Sequence, residues 1–473
     1  MALRNTNVRW VPPILDEFTL DQDAIYTLRG PRQVGKTTAC KILIKRLLKA
    51  GIEPRALLYF SCDRAASAPR LRQMIEQYIL RLRRFYQGRI FLVLDEISFV
   101  DDWQTRVVKV LYDAGLLDSV TAILTGSHAH DIRMSAEQLP GRRGKVRDPL
   151  DKNLLPMVFR EYVTALKTEL VPAFNGLAIG SPKARSAIVD RLLKGTIPQQ
   201  VRELEAYMDS LQSLLDEYLL TGGIPYVLDE YVRNRRLDEV TYRTYLDVVL
   251  NDVSRLGRRR EYARQVLEVL VDHLGSRISW RNICERTDVT RHETAADYVN
   301  ILRDSYILLL LNAYDPSRDR ADTRKNKKIH FRDPFFLHAV NSWLMTGEPF
   351  EGSQAYLASA ERRAAVMEQV IIEHLVRYAM QASLQKQIFD VEYHVFYWLG
   401  REGNEVDGIL RIPTGVLPVE VKYQSKVTSD DLNSVYAFLK SGRASRAIVA
   451  TREELEVRGS LTLIPASILL TLL

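Results

Sequence analysis

The stretch Gly30-Pro31-Arg32-Gln33-Val34-Gly35-Lys36-Thr37-Thr38 decides how this chain is read. It fits the pattern G-x-x-x-x-G-K-[ST]. The apolar, strand-like Ala24-Ile25-Tyr26-Thr27-Leu28 precedes it, and a helix-like run from Ala39 to Leu48 follows, which is the context the pattern requires. A strand, loop and helix of this kind hold nucleotide phosphates. The glycines let backbone N–H groups curl around a β-phosphate, Lys36 brings a compact positive charge, and the Thr37 hydroxyl can ligate Mg²⁺. ATP and Mg²⁺ are the cofactors this predicts.

Downstream, Ala56-Leu57-Leu58-Tyr59-Phe60 reads as a second strand and Ile90-Phe91-Leu92-Val93-Leu94 as a third. The third is nearly uninterrupted in its apolar character, as suits a strand covered on both faces, and it ends in Asp95-Glu96. Placed after the phosphate loop, this acidic pair predicts Asp95 as a Mg²⁺ ligand and Glu96 as the group that orients or deprotonates the attacking water. A helix cap is the plainer reading of the pair. A fourth strand, Thr121-Ala122-Ile123-Leu124, ends in Thr125-Gly126-Ser127, so Thr125 or Ser127 is placed to sense a γ-phosphate; a turn-satisfying hydroxyl is the alternative. The extra strand points to the additional-strand group of ATPases. Arg142, in the Gly-framed basic loop Leu139 to Lys145, is a candidate arginine finger in cis or in trans, and a solvated basic turn is the bland reading. A fifth strand is expected at Asn153-Leu154-Leu155-Pro156-Met157.

At 473 residues the chain exceeds one core, and length alone suggests about three domains. Its 46% hydrophobic and 26% charged residues are those of a globular protein. No apolar run approaches the roughly 20 residues of a membrane span, and Met1-Ala2-Leu3-Arg4-Asn5 carries no apolar signal region, so a cytoplasmic protein is expected. The three separated cysteines and eight scattered histidines offer neither a disulfide framework nor a zinc site. A net charge of +7 permits a polyanionic partner, and its distribution says more. Arg318, Arg320, Arg324, Lys325, Lys327, Lys328 and Arg332 form the densest positive segment.

From about 165 to 250 the pattern turns helical, with a Gly/Pro/Ala-rich loop expected at 171–183 and a break at Thr221-Gly222-Gly223-Ile224-Pro225. Between 255 and 345, helix, short strand, two helices, the strand Ile307 to Leu311, the basic segment and a strand at Lys328-Ile329-His330-Phe331 suggest a winged helix. Arg291 opens its recognition helix, and Arg324, Lys325, Lys327 and Lys328 form its basic wing, so DNA is the expected partner; protein docking is the rival role. In the last α/β unit, Asp407 followed by Glu420-Val421-Lys422 has the spacing of a D…E-x-K metal-dependent nuclease site, with Glu368 on a preceding helix. Alternate strand residues share a face, so Glu420 and Lys422 point together and a hairpin brings Asp407 beside them, two carboxylates for Mg²⁺ and a lysine for water.

These motifs, with Leu94-Asp95-Glu96-Ile97 and Trp103, Leu139-Pro140-Gly141-Arg142, Gly222-Gly223-Ile224-Pro225 and Glu405-Val406-Asp407, resemble a family of prokaryotic AAA-type ATPases labelled AAA_14 with DUF4143. The resemblance covers most of the chain. It implies an α/β additional-strand P-loop core, a winged helix and a restriction-endonuclease-like terminal domain. The family's Pro-Leu-Ser-Phe-x-Glu stretch is altered here to Leu155-Pro156-Met157-Val158-Phe159-Arg160-Glu161. The expected domains are the ATPase core at 1–165, a helical lid at 166–254, the winged helix at 255–345 and the nuclease-like domain at 346–473. The expected function is an Mg²⁺-dependent ATPase that binds duplex or branched DNA and self-associates under nucleotide control. An ATP-gated endonuclease and a signalling or defence switch that docks protein partners are the alternatives.

Overall fold

The computed structural model describes residues 7–473 except 66, 127–138, 140, 145, 147–148, 384–388 and 413–414. The chain separates into two compact units, one of residues 1–155 with 304–306 and the other of residues 156–303 with 307–473.

The first unit is built on β1 (Ala24–Arg29), β2 (Leu57–Ser61), β3 (Ile90–Asp95), β4 (Val120–Thr125) and β5 (Asp151–Asn153), in the order β2-β3-β4-β1-β5. Every neighbouring pair is parallel. β1, β3 and β4 are buried at every position, which explains why they read as apolar runs rather than alternations. On one face Leu28, Val93 and Ile123 pack with Ala39 and Leu43 of the helix Lys36–Lys49; on the other, Leu92 and Leu124 pack with Ile75 and Ile79 of the helix Ala68–Arg83. β4 lies between β1 and β3, so the phosphate loop after β1 opens at a point where the strand order reverses, the place where such sheets bind ligands.

The fifth strand is shorter and earlier than Asn153–Met157. Leu154 N still donates to Arg29 O, but Pro156 has no N–H to give and Met157 N turns to Gly223 O. Asp151 fastens this edge: it pairs with Arg29 at 2.6 Å and Arg143 at 2.8 Å, and Thr27 Oγ1 donates to it. Burial alone would raise the Asp151 carboxyl, but the Arg143 hydrogen bond and the Arg29 charge outweigh it and hold it at about 2 instead of 3.8. A depressed carboxyl adds stability above its unfolded pKa and loses it as pH falls through the folded one. The denaturation midpoint of the first unit should therefore drop between about pH 4 and pH 2, and Asp151→Asn should drop less over that window when both are followed by urea titration.

The second unit begins with helices, among them Phe159–Leu166, Pro182–Leu193, Met208–Thr221, Pro225–Asn234 and Glu239–Arg255. The segment expected as a loop at 171–183 instead forms the helix Val171–Gly176 and starts the helix Pro182–Leu193. Pro172 and Pro182 sit in first turns, where a missing N–H breaks no helical bond, so the prolines that suggested a loop are helix starts.

Further on, the helices Arg260–Asp272, Trp280–Glu285 and His292–Asp304 accompany β6 (Arg277–Ile278), β7 (Leu308–Leu311), β8 (Ala313–Asp315), β9 (Arg320–Asp322) and β10 (Lys327–Phe331). β6, β10 and β7 form an antiparallel sheet with β10 central. The β8–β9 hairpin joins a different sheet, with β11 (Val395–Leu399), β12 (Glu405–Ile412), β13 (Gly415–Val421), β14 (Ala447–Thr451), β15 (Glu456–Arg458) and β16 (Leu461–Pro465). Its order is β15-β16-β14-β13-β12-β11-β8-β9. The helix Ala360–Ala382 packs on β12 and β13. Among the described residues no helix is long and apolar enough to cross a membrane.

Candidate nucleotide site and acidic cluster

The phosphate loop needs its glycines. Gly30 has φ +145°, and a Cβ there would lie 1.9 Å from Leu154 O, so neither the backbone conformation nor the space admits a side chain. Gly35 has φ +102° and starts the helix Lys36–Lys49 with no side-chain cap. The first N–H groups of a helix lack intrahelical acceptors, and the positive end of its dipole adds to them, which makes this end an anion site. Lys36 is buried, its ammonium folded back on Gly30 O at 2.9 Å and Pro31 O at 2.7 Å.

Asp95 closes β3 and is also buried. Its Oδ2 accepts from Thr37 Oγ1 and from Tyr59 Oη, both at 2.8 Å, and its Oδ1 accepts from Thr125 Oγ1. Thr125 Oγ1 in turn accepts from Glu96 N at 3.0 Å. That bond helps hold Glu96 at φ +57°, a left-handed conformation unusual for a side-chain-bearing residue and of the kind found at functional sites. Burial and the Asp95 bond push the Tyr59 phenol upward, so Tyr59 stays a hydrogen-bond donor at neutral pH. A hydroxyl and a carboxylate in contact, with the phosphate loop beside them, are hard oxygen donors of the kind Mg²⁺ takes, so Thr37 and Asp95 fit the metal. Tyr59 was not evident as a site residue in the sequence, where it is one aromatic in an apolar strand; parallel pairing with Val93 brings it beside Asp95.

Arg142, the candidate finger, donates from Nε to Asp113 at 3.0 Å. Ser127, the candidate sensor, lies outside the described residues.

In the second unit, the register of β12 on β13 sets Gly408 against Val419 and so Asp407 against Glu420, and Glu368 reaches the same place from the helix Ala360–Ala382. Lys422 pairs with Glu420 at 2.9 Å. A further side chain unites the cluster. Lys328 Nζ lies 2.7 Å from Glu368, 2.6 Å from Glu405 and 3.0 Å from Asp407, and Lys328 is fully buried. Val421 N donates to Asp407 Oδ2 at 3.0 Å.

Burial pushes the Glu368 carboxyl up to about 8, and burial with the Asp407 charge pushes Glu420 up to about 8. Asp407 goes the other way: burial opposes its charge, but the Lys328 ammonium, the Val421 N–H and the Lys422 charge together outweigh burial and hold the carboxyl down. Among the described residues, no three acidic, histidine or cysteine side chains converge as a metal site. A divalent ion about 4 Å from a buried ammonium would meet roughly 8 kcal/mol of repulsion at an effective dielectric near 20. The acids therefore do not fit the divalent metal expected of a D…E-x-K set.

This placement corrects two of the expected DNA contacts. Lys327 and Lys328 are buried because β10 is the central strand of its sheet and is covered at all five positions. Lys327 Nζ donates to Thr323 O at 2.6 Å and Lys325 O at 3.1 Å, and Lys328 enters the acidic cluster. Arg291, Arg324 and Lys325 are exposed. By strand alternation Lys328 shares a face with His330 and Lys327 shares the other with Ile329 and Phe331, and both faces of β10 are covered.

A family model described as an AAA domain matches residues 22–163, and two described as domains of unknown function, DUF8612 and DUF4143, match residues 212–346 and 363–469. An uncharacterized protein of Haemophilus influenzae is 24% identical over 328 residues, covering 66% of this chain and 68% of that one. Among solved structures, a Walker-type ATPase of Pyrococcus abyssi is 14% identical, covers 72% of this chain and 99% of that chain, and has a TM-score of 0.43. The Orc1 protein of Aeropyrum pernix, solved in complex with DNA, is 15% identical over 67% of this chain and 86% of that chain, with a TM-score of 0.28. With a phosphate loop, an acidic strand end and a five-stranded parallel sheet in one unit, and an AAA-domain model matching residues 22–163, the protein is a P-loop ATPase of the AAA class, whose residues 363–469 match DUF4143.

Proposed function

We propose that this ATPase uses Mg²⁺ and couples its nucleotide cycle to DNA engagement and self-association. Lys36 and the loop N–H groups hold the phosphates, Thr37 and Asp95 hold the metal, and Glu96 orients the attacking water. The observation that carries the DNA reading is the set of exposed cations at Arg291, Arg324 and Lys325 on a winged-helix-like arrangement. Arg291 stands at the start of the third of three helices, the one that would enter a major groove, and Arg324 and Lys325 lie in the turn between β9 and β10.

The test is duplex and branched DNA binding by fluorescence anisotropy between about 50 and 200 mM salt. Each phosphate contact contributes about 0.9 to the slope of log affinity against log salt. Joint Arg324→Ala and Lys325→Ala should lower that slope by roughly 2 and weaken binding uniformly across sequences. Binding that is absent in the wild type, or unaltered in the variant, removes DNA from the reading. Self-association is read separately, as mass with and without an ATP analogue. If Arg142 exchanges Asp113 for a neighbour's nucleotide, Arg142→Ala keeps the monomer folded and loses the nucleotide-dependent species.

A further inference from the structure

We propose that Lys328 is the resident cation of the acidic cluster, supplied by the chain itself, and that the cluster is a socket for strand β10 in place of a divalent-metal nuclease site. The geometry carries this at three levels. Of the four oxygens of Asp407 and Glu420, which a D…E-x-K site turns toward its metal, three are already engaged. Asp407 Oδ1 takes Lys328 Nζ, Asp407 Oδ2 takes Val421 N, and Glu420 Oε1 takes Lys422 Nζ. Glu405, which such a site does not require, completes the shell around Lys328 and also binds Arg277 of β6 at 2.7 Å. Two cations of the three-stranded sheet thus meet acids of the helix Ala360–Ala382 and of β12.

The helix is used the same way along its length. Glu368 takes Lys328, Gln369 Oε1 accepts from Phe331 N at 3.2 Å, and Glu373 Oε2 accepts from Arg332 at 3.0 Å. Glu368, Gln369 and Glu373 therefore follow β10 and the residue after it. A helix serving a metal would spend Glu368 on the ion; this one spends it on docking a strand. The socket also fixes where the chain emerges, because Arg324 and Lys325, the exposed cations, lie ahead of β10 with only Asn326 between. A buried ammonium among carboxylates holds that strand strongly, since removing either partner leaves an uncompensated buried charge.

The test uses the full chain and Mn²⁺ as the probe. Wild type and Asp407→Asn, without nucleotide, should show the same Mn²⁺ binding by electron paramagnetic resonance, and neither should cut supercoiled or branched DNA with Mg²⁺ or Mn²⁺. Lys328→Met should lower the melting temperature of the second unit by about 5 °C or more. Mn²⁺ binding in the wild type that Asp407→Asn abolishes, or metal-dependent cleavage lost in that variant, overturns the proposal. So does Lys328→Met with an unchanged melting temperature. Should Lys328→Met fail to fold, that failure agrees with the socket, and the wild-type comparison still decides the metal.

Discussion

Lys36→Ala lowers ATP turnover about 100-fold or more while leaving the melting temperature within a few degrees of wild type. The size follows from what is removed: a preorganised charge at the transferring phosphate, and loss of one such group commonly reduces turnover by about 10²–10³. The near-unchanged stability follows from the packing of the helix Lys36–Lys49, which Ala39, Cys40 and Leu43 carry and the truncation leaves in place. Steady-state phosphate release at saturating ATP and a thermal melt check both halves.

Glu96→Gln separates chemistry from binding. It keeps the side chain's size and the Glu96 N to Thr125 bond, so nucleotide affinity should persist while turnover falls by about 10²–10⁴, the range for a general base. Equal turnover in wild type, Lys36→Ala and Glu96→Gln would mean that hydrolysis does not occur at this loop.

Gly223→Ala destabilises the second unit by more than about 3 kcal/mol, in the upper tail of single substitutions. A Cβ at Gly223 would stand 2.1 Å from Met157 O and 2.8 Å from Met157 N, both backbone atoms. Those atoms cannot step aside. Met157 O accepts from Tyr218 Oη at 2.8 Å, Met157 N donates to Gly223 O at 2.8 Å, and Gly223 N donates to the buried Asp333 at 2.8 Å. Asp333 also accepts from Phe335 N and begins the helix Pro334–Leu344, so the glycine pair ties three segments together. Gly222, with φ +64° and Asp333 Oδ1 1.9 Å from where its Cβ would be, is equally confined. Chemical denaturation of the second unit reads the effect; a loss under about 1 kcal/mol would show that Met157 gives way.

The legible and illegible parts of this protein divide by how their contacts are made. The phosphate loop, its flanking strand and helix, and the acidic end of β3 were readable because each is a local consequence of its own residues: glycine where φ is positive, apolar runs where strands are covered twice. The break at Gly222-Gly223 was readable as a break, though the reason for two adjacent glycines lies in Met157 and Asp333. The segment 171–183 misled because proline is both a loop residue and a helix starter, and neighbouring elements choose between them.

Asp407, Glu420 and Lys422 were placed from strand alternation and a hairpin, and β12 pairs with β13 in the register that sets Asp407 against Glu420. What the sequence by itself determined is therefore the phosphate loop between β1 and its helix and the acidic end of β3, each a local consequence of its own residues. What only the tertiary structure decided is the sign and meaning of the acidic cluster. A lysine reads as a surface cation in any one-dimensional pattern, and Lys328 belonged to the most basic segment of the chain. It became an internal counter-ion because β10 is central in its sheet and because Glu368 and Asp407, 40 and 79 residues away, fold onto it. Burial is set by what packs against a residue, and those partners are too distant in sequence to announce themselves.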